Sequence, residues 1–168
     1  WKPFTMFDGT PVLVPGQFNV SPAEDGGWFV YPEGDTSVPP SAWMPKGSYF
    51  FDSTRRQQPL DDSKLNPADN CEEMTVVSDE DAQHFARLAR HYYETTSYGI
   101  YMTLPGTAFG DIALVPAPWM KHPKGIRGVE EWYMATVTNR DYVMKVFEVQ
   151  CECAFKSIEL LAAAGMDV

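Results

Sequence analysis

Apolar positions change rhythm twice along this chain. From Trp1 to about Asn70 they come in short runs broken by proline and glycine: Val12–Val14, Gln17–Val20, Trp28–Tyr31 and Ser48–Phe51. Runs of that length, rich in β-branched and aromatic residues, predict short strands. Pro15-Gly16, Glu33-Gly34-Asp35 and Lys46-Gly47 supply the turns between them. Ten of the fourteen prolines fall here, and a proline removes a backbone donor and clashes with the preceding turn, so a helix is excluded. Residues 1–70 are therefore expected to form an irregular cap of small antiparallel hairpins and loops. Its eleven aromatic residues either pin the hairpins onto a neighbour or line a pocket for a flat or apolar ligand.

From Ser78 the period becomes helical. Ser78 is a suitable N-cap, Asp79, Glu80 and Asp81 place negative charge at the positive end of the helix dipole, and Ala82, Phe85, Leu88, Ala89 and Tyr92 recur on one face. That helix should end near Thr95. Gly99–Leu104 is short and apolar, as a buried parallel strand would be. After an irregular segment, Gly128–Val137 predicts a short helix. Asn139 then opens a long one with Val143, Val146, Phe147, Ala154, Ile158 and Leu161 on one face, closing at Gly165. Met166-Asp167-Val168 would begin another strand. Helix, strand, loop, helix, strand is the order of an α/β protein with parallel strands.

Composition narrows the picture. A length of 168 residues suffices for a domain with a real core. The net charge of -10 argues against a nucleic-acid or anionic-membrane surface, which needs clustered Lys and Arg. No apolar run approaches the roughly 20 residues of a membrane-spanning helix. Three cysteines, Cys71, Cys151 and Cys153, make an odd number poorly spaced for a disulfide framework and suggest a reducing cytoplasm. The start lacks methionine and the end falls where a strand should begin, so both ends read as cuts in a longer chain.

The candidate chemistry sits after Leu104, because ligands of open and barrel α/β folds lie beyond the carboxyl ends of the strands. The small residues Pro105-Gly106-Thr107-Ala108 would let a ligand approach the backbone. Phe109 and Asp111 would line the pocket, and Asp111 could accept hydrogen bonds or move a proton, unless it caps a turn. His122 and Arg127 could meet an anionic substrate or stand idle in solvent, and Trp119 could pack or stack. Arg55-Arg56 could clamp a carboxylate or phosphate. His84 and His91 lack the spacing of a zinc pair, and Cys151 and Cys153, two apart on a helix, point about 200° away from each other. No metal site is expected from these residues.

Three stretches resemble the uroporphyrinogen decarboxylase superfamily: Leu104-Pro-Gly-Thr-Ala-Phe-Gly, Gly128-Val-Glu-Glu-Trp-Tyr, and Asn139-Arg-Asp-Tyr-Val with the helix ending Ala-Ala-Ala-Gly-Met-Asp-Val. The likeness covers about residues 72–168 and is weak before them. It implies a partial (β/α)8 TIM barrel over 71–168, preceded by the hairpin-rich part, with substrate contacts at Gly106, Phe109, Asp111, Trp119 and Arg127 and a catalytic role for Asp111. The superfamily contains porphyrinogen decarboxylases, which need no cofactor and hold substrate carboxylates with arginines, and cobalamin-dependent methyltransferases, which bind zinc through His-x-Cys and a later cysteine. Those zinc ligands are absent here, as is the decarboxylases' substrate-facing tyrosine, since Asp111-Ile-Ala-Leu-Val-Pro stands in its place. The expected activity is methyl transfer involving a corrinoid or thiol. Tetrapyrrole decarboxylation, or ligand binding or assembly without catalysis, is the alternative. Partners would be that small molecule or a corrinoid protein, with self-association, or a missing remainder of the chain, covering apolar edges of an incomplete barrel.

Overall fold

The computed structural model describes residues 1–101 and 112–166. They form two compact units, Trp1–Lys64 with Ile112–Met134, and Leu65–Asp111 with Ala135–Val168.

The first unit is built on hairpins. β1 (Lys2–Thr5) pairs antiparallel with β2 (Pro11–Val14), with Lys2 opposite Val14. Gly9 takes the positive φ of +87° in the connecting turn, and the Asp8 carboxylate accepts hydrogen bonds from both the amide and the hydroxyl of Thr10 at 2.9 Å. β3 (Val20–Pro22), β4 (Trp28–Val30), β5 (Ala42–Met44) and β6 (Asp52–Ser53) follow in one antiparallel sheet, in chain order. Gly27 sits where its backbone meets the Met44 carbonyl, so close that no side chain fits.

Aromatic rings join the two sheets. Trp28 stacks on Phe7 at 3.7 Å between centroids and meets Phe4 edge-on at 4.9 Å; Phe18 meets Phe4 at 5.1 Å and Phe51 at 6.0 Å. Five of the eleven aromatic residues thus do pin hairpins together. Pro32, Met44, Ala117 and Ile126 are fully enclosed apolar positions.

The second unit is helical. α1 (Asp79–Thr95) begins at Ser78, whose hydroxyl accepts from the Asp81 amide at 3.1 Å. α2 (Val129–Thr138) leads from the first unit into the second, and α3 (Arg140–Ala163) packs against α1. The buried face of α3 is Tyr142, Val143, Val146, Ala154, Ser157 and Leu161, spaced by three and four as a helix stripe requires. Gly165, at φ +89°, closes it: its amide bonds Ala162 O and the Met166 amide bonds Leu161 O. These two bonds satisfy carbonyls that a helix end otherwise leaves open. Asn139 holds the N-cap position without capping; its side-chain oxygen accepts instead from the Thr138 hydroxyl at 2.7 Å.

The expected α/β fold and partial TIM barrel are overturned. Every strand pairing among the described residues is antiparallel, and every strand lies before Thr54. With its three α-helices and two small sheets the structure is a mixed α and β fold. The parallel strand expected over Gly99–Leu104 fails in its described part: Gly99, Ile100 and Tyr101 are exposed and belong to no strand. A short apolar run fits a buried strand only where neighbouring strands take up its amides and carbonyls. Ser48–Phe51 is likewise not a strand; β5 and β6 flank it, and Tyr49 and Phe50 are exposed.

Candidate functional site

Three consecutive residues after β6 organise the segment that carries Trp119, His122 and Arg127. Arg55, largely exposed, forms an ion pair with Glu131 of α2. Arg56 reaches the turn at 116–120, where Nη1 donates to Met120 O at 2.5 Å and Nη2 donates to Ala117 O at 2.6 Å and Pro116 O at 3.2 Å. Gln57 Oε1 accepts the amides of Arg127 at 2.6 Å and Gly128 at 2.7 Å, while its Nε2 donates to Gly125 O at 3.3 Å. The Gly128 amide stands just ahead of α2, so one side-chain oxygen satisfies donors that the start of the helix leaves open.

Electrostatics adds a cost to this arrangement. Burial lowers the affinity of Arg56 for its proton, and the nearby positive charge of Arg127 lowers it further. Arg127 is itself buried, with Nε donating to Lys124 O at 2.5 Å. A desolvated guanidinium is held here by oriented carbonyl dipoles. Lys121, on the same segment, forms ion pairs with Glu33 and Asp35, both at 3.0 Å. Hydrogen bonds from the Ser37 hydroxyl and amide, with help from Lys121, bring the Asp35 carboxyl down to about 2.

Of the residues expected to touch substrate, Gly106, Phe109 and Asp111 lie outside the described residues. Trp119 is 44% exposed. Arg127 is buried and engaged with the backbone of its own loop, and His122 is exposed. Trp119 and Arg127 share the segment tied down by Arg56 and Gln57. The Arg55-Arg56 pair, considered above as an anion clamp, bonds protein groups at both positions.

Sequence reasoning missed the role of Gln57 and the left-handed backbone of Ala117, at φ +44°. Partners 60 to 71 positions away leave no local signal. The one local hint is Pro116-Ala117-Pro118, where two fixed φ angles bracket a single residue.

His84 and His91 are exposed on α1, and none of the three cysteines forms a disulfide. Among the described residues no group of three His, Cys, Asp or Glu side chains could hold a metal ion, and His-x-Cys occurs nowhere in the sequence. No described helix is long and apolar enough to cross a membrane. Comparison with protein-family models, curated proteins and solved structures finds no match to this chain.

Proposed function

We propose that this chain serves methyl transfer between a corrinoid and a thiol, in the manner of the uroporphyrinogen decarboxylase superfamily. The observation that carries the choice is the commitment of the three arginines of the candidate site, Arg55, Arg56 and Arg127. Arg55 is paired with Glu131, Arg56 bonds three carbonyls, and Arg127 is buried against its own loop. Holding the carboxylates of a tetrapyrrole needs cationic side chains facing the ligand, and a net charge of -10 repels such a polyanion. A corrin ring and a thiol make no such demand. The element order supports the same reading, because Gly128-Val-Glu-Glu-Trp-Tyr opens α2 and Asn139-Arg-Asp-Tyr-Val opens α3, which ends at the Ala-Gly pair. That support is local and requires no barrel.

In this reading Asp111 would take the proton of a thiol, and a methylcorrinoid, when bound, would supply the methyl group to that sulfur. Phe109 and Trp119 are the apolar residues that would hold the ring. Cysteines without a disulfide agree with a reducing cytoplasm as the setting. Assembly through an aromatic patch is the weaker reading, since Trp28 is stacked on Phe7 and Trp43 is half-buried, leaving Phe50 alone of those three well exposed.

The test is turnover of methylcobalamin with coenzyme M, followed by the absorbance change and by mass spectrometry of the methylated thiol. Asp111→Ala should lower the rate by at least about 100-fold, the lower end of what a positioned proton acceptor contributes. Equal rates for Asp111→Ala and the parent, or a parent rate no faster than buffer, would sink the proposal.

A further inference from the structure

We infer that the turn Ala117–Met120 is a preset platform holding Trp119 for the flat face of a ring ligand, with Arg56 as its positioning residue. The choice of a corrin ring as that ligand rests on the methyl-transfer reading; the rigidity does not.

Three observations converge on this turn. Ala117 has φ +44°, a left-handed conformation that L residues with a side chain disfavour, and it is wholly buried. It also precedes Pro118, and a residue before proline prefers extended backbone. Such strain persists only where the surroundings over-determine it. Here Arg56 binds the carbonyls of Pro116, Ala117 and Met120, and the Met120 amide closes the turn onto Ala117 O at 3.0 Å.

The arginine used for this is a costly one. Arg56 is drawn partly out of water beside a second cation, Arg127, and its Nε has no hydrogen-bond partner among the described residues. If the segment needed only to be covered, apolar side chains of similar volume would serve as well or better. What the arginine adds is one fixed geometry. The large apolar side chain that this geometry brings to the surface is Trp119, at 44% exposure, between Pro118 and Met120. A platform ordered before the ligand arrives spares binding the cost of ordering it. Lys121 beside it is already paired with Glu33 and Asp35, so the platform presents an aromatic face rather than a free cation.

Titration with hydroxocobalamin, read by absorbance, tests the ligand. Trp119→Ala should weaken binding about tenfold, as loss of one ring stack does, and Trp119→Phe should restore most of it. Arg56→Lys, which keeps the charge but cannot span three carbonyls in one plane, should weaken binding comparably. The double variant Arg56→Lys/Trp119→Ala should bind no worse than Trp119→Ala. Unchanged affinity in Trp119→Ala overturns the platform, and unchanged affinity in Arg56→Lys alone removes Arg56 from it. If the parent binds no hydroxocobalamin, the methyl-transfer reading falls while the platform is decided by 19F spectra of 5-fluorotryptophan protein. There the Trp119 signal, assigned with Trp119→Phe, should sit away from free 5-fluorotryptophan and move towards it in Arg56→Lys. A parent signal at the free position overturns the platform outright.

Discussion

In the first unit Phe4, Phe7, Phe18, Trp28 and Phe51 meet face to face and edge to face while all remain half-buried, and half-buried Arg56 and buried Arg127 tie loops together through carbonyls. In the second, one helix carries most of the described interior: six residues of α3 are buried on one stripe, and specific polar contacts join it to its neighbours. Among those, Ser157 Oγ donates to Cys153 O at 2.8 Å and accepts the Val77 amide at 3.1 Å, while the Tyr142 hydroxyl donates to Asn70 Oδ1 at 2.5 Å. The difference follows from chain geometry. A helix satisfies its own backbone and needs only an apolar stripe. Strands of two to four residues leave many backbone groups to loops, so turn chemistry and long side chains must finish the accounting.

The largest effect should come from the concentrated interior. Leu161 is 1% exposed, and Leu161→Ala removes buried carbons from a site that α3 cannot close by shifting one residue. A loss of about 3 kcal/mol is expected from urea unfolding followed by helical circular dichroism. A loss under about 1 kcal/mol would mean that the stripe is not the main support of its unit. Trp28→Ala tests the other side of the contrast. The ring is half-buried but stacks on Phe7 and meets Phe4 edge-on, so about 2 kcal/mol should be lost, read from near-ultraviolet circular dichroism of the aromatic cluster. If Trp28→Ala cost more than Leu161→Ala, the aromatic joint would be the stronger of the two.

The same contrast decides what could be read from residues alone. Ser78, the acidic first turn of α1 and Gly165 are local signals, and the three helices lie where those signals put them. β5 escaped notice because Ala42-Trp43-Met44 has no β-branched residue and is flanked by Pro39-Pro40 and Pro45, while the more strand-like Tyr49–Phe51 lies outside the ladders. Tyr92 and Leu88 continue the apolar period of α1, yet both are exposed, because periodicity marks a face and not what covers it. The barrel expectation fails at the same point, because an apolar run makes a buried strand only where neighbouring strands pair with it, and 99–101 belong to no strand. Of the candidate site, Trp119 and Arg127 could be named as residues but not as neighbours held by Arg56 and Gln57, whose bonds span more than half a hundred positions.

The smallest effect lies in the first unit's surface polar network and concerns pH. The Asp35 carboxyl has a value of about 2 in the fold against 3.8 as its ordinary value. On acidification the unfolded chain therefore takes up this proton first, which favours unfolding. The contribution of Asp35 should be complete above about pH 3.8 and should vanish as pH falls through about 2. Asp8 and Asp61 are also lowered, so the comparison must be with Asp35→Asn rather than with neutral pH. The parent should exceed Asp35→Asn in urea midpoint at pH 5, and the two should converge near pH 2. Salt separates the causes. The first is the Ser37 hydroxyl and amide, neutral donors that 1 M salt does not screen, whereas the Lys121 ion pair is exposed to screening. Most of the difference at pH 5 should survive 1 M salt. Its disappearance there would assign the shift to Lys121, making the first unit's surface depend on charge pairing where its geometry points to turn hydrogen bonds.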